Sequence, residues 1–253
     1  SHSLASLFSP FEFQEQVFKH RRRIKALFDQ EGKTFRNTEL IYSNSLAEKV
    51  EEMGYRTILA EGVEKLLAGR SPNVIYRPPS TQNIRLLLRD WRLSDDVAFR
   101  FSERNWSGFP LTAEKYADWI IARGGSGTIV NLFMDFETLG EHQWAETGIF
   151  DFFQELPGRL LKRPSCRFLT PSETAAPQKN ARVFDSPDVI SWADAQRDVS
   201  AWLGNSMQQD AAKTIYGLEK TVHLCDDTTV KEKWRLLQTS DHFYYMSAKR
   251  FQD

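Results

Sequence analysis

The feature that most constrains this chain is an alternation of short β-prone runs with amphipathic helical stretches, sustained for roughly 175 residues and then abandoned. A helix is predicted from Ser9-Pro10 to Phe28: Ser9 caps, Pro10 suits the first turn and Glu12 completes a Ser-x-x-Glu box. FRNTELIY at 35–42 reads as a short strand breaking into a turn at Ser43-Asn44, followed by a helix that stops at Gly54. YRTILA at 55–60, then 73–76 and 84–89, are strand candidates, with a short helix at 63–68. A helix capped by Thr112 is expected at 111–123, ended by Gly124-Gly125, and another at 147–156. TIVNLFMDF at 128–136 is apolar almost throughout, as a strand buried on both faces should be, and CRFLT at 166–170 reads as one more strand. Such a rhythm implies an α/β fold with a mainly parallel sheet, open or closed into a barrel. Residues 175–188 read as a linker or loop, and only helices are expected beyond them, about 194–224 and 230–250.

Charge and cysteine content narrow the function classes. A formal net charge of −1 provides no field to draw in nucleic acid or an anionic membrane, so neither is an expected partner. Cys166 and Cys225 lack metal-ligand spacing, so no thiolate metal site, disulfide framework or cofactor is expected, and a cytoplasmic, reducing setting fits. No apolar run has the length of a membrane span or a signal peptide. The chain opens on SHSLASL without an initiator Met, which points to further sequence upstream.

In parallel α/β folds reactive side chains emerge at the carboxyl ends of strands. The two best strands each end in a carboxylate, Glu39 and Asp135, in apolar surroundings where an ionisable group is costly unless paired or useful. Two carboxylates are what glycoside hydrolysis requires, about 5–5.5 Å apart for a retaining pair and about 6.5–9.5 Å for an inverting one. The same positions also suit helix capping or pairing with Arg. Beyond Asp135, DFETLGEHQWAETG gathers Glu137, Glu141, His142, Trp144 and Glu146. Asp135, Glu137 and His142 could ligate a divalent metal, but no second His stands at helical spacing. A sugar subsite, with acids and His on hydroxyls and Trp stacked on a ring, is favoured over the metal site.

These segments resemble glycoside hydrolase family 57, in particular its α-amylase-like members. FRNTELIY is similar to the family's third conserved region, whose Glu is the nucleophile, which implies that role for Glu39. FMDFETLGEHQWAETG resembles the fourth region and implies Asp135 as general acid/base, with Glu137 the accompanying carboxylate. QTSDHFYYM at 238–246 resembles the fifth region and brings Asp241 to the site; SHSLASL looks like the tail of the second, making His2 a substrate-side residue. The first region, a His-Gln-Pro element, is absent. The resemblance implies an incomplete (β/α)7 barrel, N-terminally truncated and spanning 1–175, a linker at 176–190, and a helical domain at 191–253. It also implies a retaining enzyme acting on α-1,4-glucans (starch, glycogen or maltodextrin). Alternatives are a 4-α-glucanotransferase or branching enzyme on the same site, a non-catalytic glucan-binding homologue, and a metal-dependent deacetylase on a similar barrel.

Further residues carry two readings each. Asp95, with Asp96, contacts glucose hydroxyls or else caps a helix after Ser94; Glu61, ending a strand, assists substrate binding or caps the next helix. Trp106 and Trp192 are stacking platforms or packing residues, whereas Trp202 and Trp234 are read as packing.

Overall fold

The computed structural model describes residues 2–125, 129–176 and 181–251. The chain divides into two compact units, one made of Ser1–Tyr55 with Ser186–Asp253 and the other of Arg56–Asp185. This division cuts the sequence differently from the expected 1–175, 176–190 and 191–253 partition, because the first fifty-five residues join the C-terminal helices.

The discontinuous unit starts from helices whose ends are set by side chains. Ser9 Oγ accepts from the Glu12 N–H at 3.0 Å and Pro10 opens the helix Pro10–Phe28, which Asp29 closes in the left-handed region at φ 51°. Ser43 Oγ accepts from the Leu46 N–H at 3.3 Å to begin Asn44–Glu52. The expected helix at 194–224 is three pieces, Ser200–Leu203, Ser206–Gly217 and Glu219–Leu224. Asn205 and Gln208 form a reciprocal capping box that restarts the chain after Gly204. Thr228–Leu237 and Ser240–Tyr244 follow. Leu4, Ile41, Ala201, Trp202, Ala212 and Phe243 form a buried core from chain segments far apart in sequence. Two isolated bridges, Ser3 with Thr239 and Tyr42 with Ile190, stitch the early segment to the late one.

The continuous unit holds a mixed sheet. Thr57–Glu61 runs parallel to Arg85–Arg89 in the register Thr57 with Arg85 through Glu61 with Arg89. Tyr76 pairs antiparallel with Leu86, and Tyr76–Arg77 runs parallel to Arg182–Val183. The helices Trp91–Ala98, Ala113–Gly124 and Ile149–Leu161 share a core of Leu93, Val97, Tyr116, Ile120, Phe152 and Leu156.

Two expected strands are not strands. Over the described residues 129–135 the chain is half-buried and outside any ladder. Val130, Leu132 and Met134 pack on the helical core. The segment's polar groups are met by main chain and side chain alike: Ile129 N–H donates to Asn73 O (3.2 Å), and Asn131 O accepts from Asp90 N–H (2.9 Å). Asn131 Nδ2 donates to Leu88 O (3.0 Å), Phe133 N–H to Ser94 Oγ (3.2 Å), and Arg89 Nε–H to Phe133 O (2.7 Å). Residues 166–170 are irregular and lead into the short helix Pro171–Thr174, where Thr170 and Glu173 make a capping box.

Arg89 is the buried hub of this unit. Its guanidinium holds the fully buried Glu61 at 3.1 Å and also bonds Asp95, while Nε–H fixes the segment leading to Asp135. Replacing Arg89 by Leu strips the guanidinium from a fully buried carboxylate and is expected to cost about 3–5 kcal/mol. Thermal unfolding checks this: Arg89→Leu should melt well below the parent, and adding Glu61→Gln should recover part of the loss.

Candidate active site

The turn that carries Glu39 follows the short strand Thr34–Arg36 and is a single 3-10 turn, Thr38–Leu40, rather than a strand end. Glu39 lies at φ 52°, ψ 24°, and Leu40 follows at φ 50°. Two successive non-glycine residues in the left-handed region store strain, about 1–3 kcal/mol each, that the surroundings must hold in place. Asn37 helps to hold it by donating from Nδ2 to Ile41 O at 3.1 Å across the turn, and the buried Leu40 anchors it below.

The turn presents the Glu39 carboxylate to a set of donors. Trp192 Nε1–H donates to Oε2 at 2.8 Å, and the Trp192 backbone N–H donates to Glu39 O at 3.2 Å. Ser240 Oγ lies 3.2 Å from Oε1 and 2.8 Å from His2 Nδ1. His2 itself is 3.7 Å from Oε1, close enough for Coulombic attraction though not for a hydrogen bond. Arg36 stacks its guanidinium 4.9 Å from the Trp192 ring centroid. Burial pushes the Glu39 carboxyl above its usual 4.5; the Trp192 indole, His2 and Ser240 pull it back, and Asp241 pushes it up again.

His2, Glu39 and Asp241 offer donor atoms that all lie within 4.8 Å of one another. Of these atoms, Glu39 Oε1 and His2 Nδ1 already make hydrogen bonds with Ser240, and Glu39 Oε2 accepts one from Trp192. Among the described residues Asp135 and His142 form no such group.

Asp135 stands, half-buried, at the end of this segment in the position before the 3-10 turn Phe136–Thr138, where its backbone O accepts from Thr138 N–H at 3.1 Å. Beyond it the loop is pinned by the buried Gln143, whose Nε2 donates to Ala98 O at 3.1 Å. Around this pin Glu137, His142 and Trp144 are exposed; the Trp144 indole N–H donates to Glu141 O at 2.9 Å and the His142 ring sits 6.1 Å from that of Phe99. Trp144 and Phe136 keep 66% and 86% of their surface in water, flat rings open to a partner.

The other residues singled out from sequence are placed elsewhere. Glu61 and Asp95 are both held by Arg89. The helix carrying Asp95 starts at Trp91 with Asp90 as its cap, so capping after Ser94 does not occur. Trp106 packs edge-on against Trp119 at 5.8 Å, with Arg100 over its ring. Sequence reasoning brought out His2, Glu39, Asp241 and Trp192, which the structure gathers around one carboxylate, but it missed Ser240. The available signal was position: Ser240 precedes Asp241 in QTSDHFYYM.

An acid whose folded pKa is raised binds its proton more readily folded than unfolded. Its ionisation therefore costs stability at pH above the folded pKa, and the cost vanishes below the usual 4.5. Glu39→Gln is expected to melt higher than the parent at about pH 7, with the gain fading as pH falls toward the carboxylate range. Thermal unfolding across pH checks both the sign and the window.

Comparison with known proteins places this chain in a family. The glycosyl hydrolase family 57 model matches residues 1–189. A Methanocaldococcus jannaschii protein named "Putative alpha-amylase" is 42% identical over 264 residues, covering 100% of this chain and 56% of its own length. The chain thus spans little more than half of that relative. The crystal structure of 4-alpha-glucanotransferase from Thermococcus litoralis superposes with a TM-score of 0.59 at 14% identity, over 87% of this chain and 33% of that one. At that identity the likeness is one of fold. No helix among the described residues is long and apolar enough to cross a membrane. The chain belongs to glycosyl hydrolase family 57.

Proposed function

We propose that this chain carries the catalytic carboxylates of a retaining hydrolase of α-1,4-glucans, built on an incomplete (β/α)7 barrel. Glu39 attacks the anomeric carbon; Asp135 protonates the leaving oxygen and then activates water against the glycosyl-enzyme. His2, Asp241 and Trp192 line the nucleophile's side, and Glu137, His142 and Trp144 offer hydroxyl and ring contacts on the acid's side.

The observation that carries this reading is the treatment of Glu39: a left-handed turn, partial desolvation, and two uncharged donors, one on each oxygen. A structural acid is neutralised by a guanidinium, as Glu61 is. A nucleophile has to be oriented without being neutralised, and indole and hydroxyl donors do that. The names of the similar proteins, "Putative alpha-amylase" and 4-alpha-glucanotransferase, support the substrate class. The second of them favours one alternative, transfer of the glycosyl group to a sugar acceptor, which differs only in whether water or a 4-hydroxyl reaches the intermediate.

The test is trapping in the full-length protein. With α-maltosyl fluoride, whose leaving group needs little protonation, Asp135→Asn is expected to accumulate a maltosyl adduct on Glu39, seen by intact mass and peptide mapping. Glu39→Gln should form none and should lose maltodextrin hydrolysis by about 10⁴-fold or more. An adduct on another residue, or normal hydrolysis by both variants, would sink the assignment. Because Glu39 must be ionised to attack and burial raises its pKa, the acidic limb of kcat/KM should lie above pH 4.5.

A further inference from the structure

We infer that Ser240 is a positioning residue: its hydroxyl links His2 to Glu39 and thereby fixes one tautomer of His2 and one orientation of the nucleophile. The inference rests on Glu39 being the nucleophile and adds how its carboxylate is set.

The count of protons forces the direction of the chain of bonds. Ser240 has one hydroxyl hydrogen, and an ionised carboxylate can only accept. With Oγ at 3.2 Å from Glu39 Oε1, that hydrogen points to Glu39. The oxygen's lone pairs then face His2 Nδ1 at 2.8 Å, so Nδ1 must carry a proton and donate. The chain reads His2 Nδ1–H to Ser240 Oγ–H to Glu39 Oε1. Trp192 Nε1–H, a donor and nothing else, takes the other oxygen at 2.8 Å, so each oxygen of the carboxylate is held by one donor.

Ser240 is placed for this role. It is fully buried, so water does not compete for its hydroxyl. Its backbone N–H donates to His2 O at 2.8 Å, and the Ser3–Thr239 bridge lies next to it, so His2 and Ser240 are tied through main chain as well as side chain. The 3.7 Å between His2 and Glu39 is too long for a direct bond, which leaves the hydroxyl as the link. Asp241, one residue on, opposes ionisation of Glu39; Arg36 faces the Trp192 ring rather than the carboxylate, and Arg197 binds Trp192 O. Loss of the Ser240 donor therefore leaves Asp241 less opposed.

The experiment compares Ser240→Ala, His2→Asn and His2→Ala in the full-length protein with a maltosyl aryl glycoside. Removing a donor to a charged group should lower kcat/KM by about ten- to a hundredfold, chiefly in kcat. It should also move the acidic limb to higher pH, because a carboxylate that loses a donor is harder to ionise. His2→Asn, which keeps an N–H near the Nδ1 position, should retain more activity than His2→Ala. ¹⁵N NMR of labelled histidine gives a readout independent of turnover: a protonated Nδ1 on His2 at neutral pH in the parent, with the preference lost in Ser240→Ala. A Ser240→Ala protein with the parent's kcat, limb and His2 tautomer, while Glu39→Gln is inactive, overturns the role of Ser240 and spares the nucleophile. Activity in Glu39→Gln overturns the nucleophile itself. If Ser240→Ala fails to fold, the His2 pair and the tautomer in the parent decide.

Discussion

A carboxylate taken partly out of water and fixed in a left-handed turn is unstable twice over, and much of the discontinuous unit can be understood as holding it there. Glu39 has no cation within hydrogen-bond distance among the contacts described above; its oxygens are met by an indole and a hydroxyl. Those donors come from residues 192 and 240, more than 150 positions along the chain. They reach the turn only because the Tyr42–Ile190 and Ser3–Thr239 bridges, and a core of Leu4, Ile41, Trp202 and Phe243, bind the early segment to the late one. Packing and site are thus one construction: after Glu39, Leu40 is fully buried and Ile41 belongs to the core that fixes the donors' segments.

The continuous unit treats its acids in the opposite way. Glu61 ends a strand, as Glu39 was expected to do, yet its partner is the guanidinium of Arg89, fully buried with it. Breaking such a pair is expensive, and its geometry leaves the acid nothing to react with. The contrast separates the ion-paired acid from the proposed nucleophile more sharply than burial does, since Glu61 is the more buried of the two. Arg89 has a second consequence: through Phe133 O it fixes the backbone two residues before Asp135, so the structural charge cluster sets the path of the segment that bears the proposed acid.

What the sequence revealed follows a physical line. Helix starts at Ser9, Ser43 and Thr112 were legible because capping is a local contest between a side-chain oxygen and backbone N–H groups. Over the described residues 129–135 the expected strand is absent, because the segment's bonds are divided between the main chain of Asn73 and Asp90 and the side chains of Ser94 and Arg89. Whether main chain or side chain satisfies an extended segment depends on neighbours that hydrophobic periodicity does not encode. The long helix at 194–224 failed for a nearer reason, since Gly204 and the Asn205–Gln208 box are visible in the sequence and restart the chain. At the site, His2, Glu39 and Asp241 were found through motif resemblance, while Ser240 and the indole's role as donor depend on tertiary geometry.

The extent of the family match bears on what counts as the catalytic unit. The matched segment ends at residue 189, and every contact that orients the Glu39 side chain, apart from that of His2, comes from beyond it: Trp192, Ser240 and Asp241. The segment beyond residue 189 is therefore not an appendage to the turn of Glu39. Its loop at Trp192 and the first residue of the helix Ser240–Tyr244 bring the donors to a strained, partly desolvated carboxylate. With the chain restarted at Asn205, Trp202 lies in the core, Gln208 closes onto Ala201 and Phe243, and the chain returns with Ser240 hydrogen-bonded to Glu39.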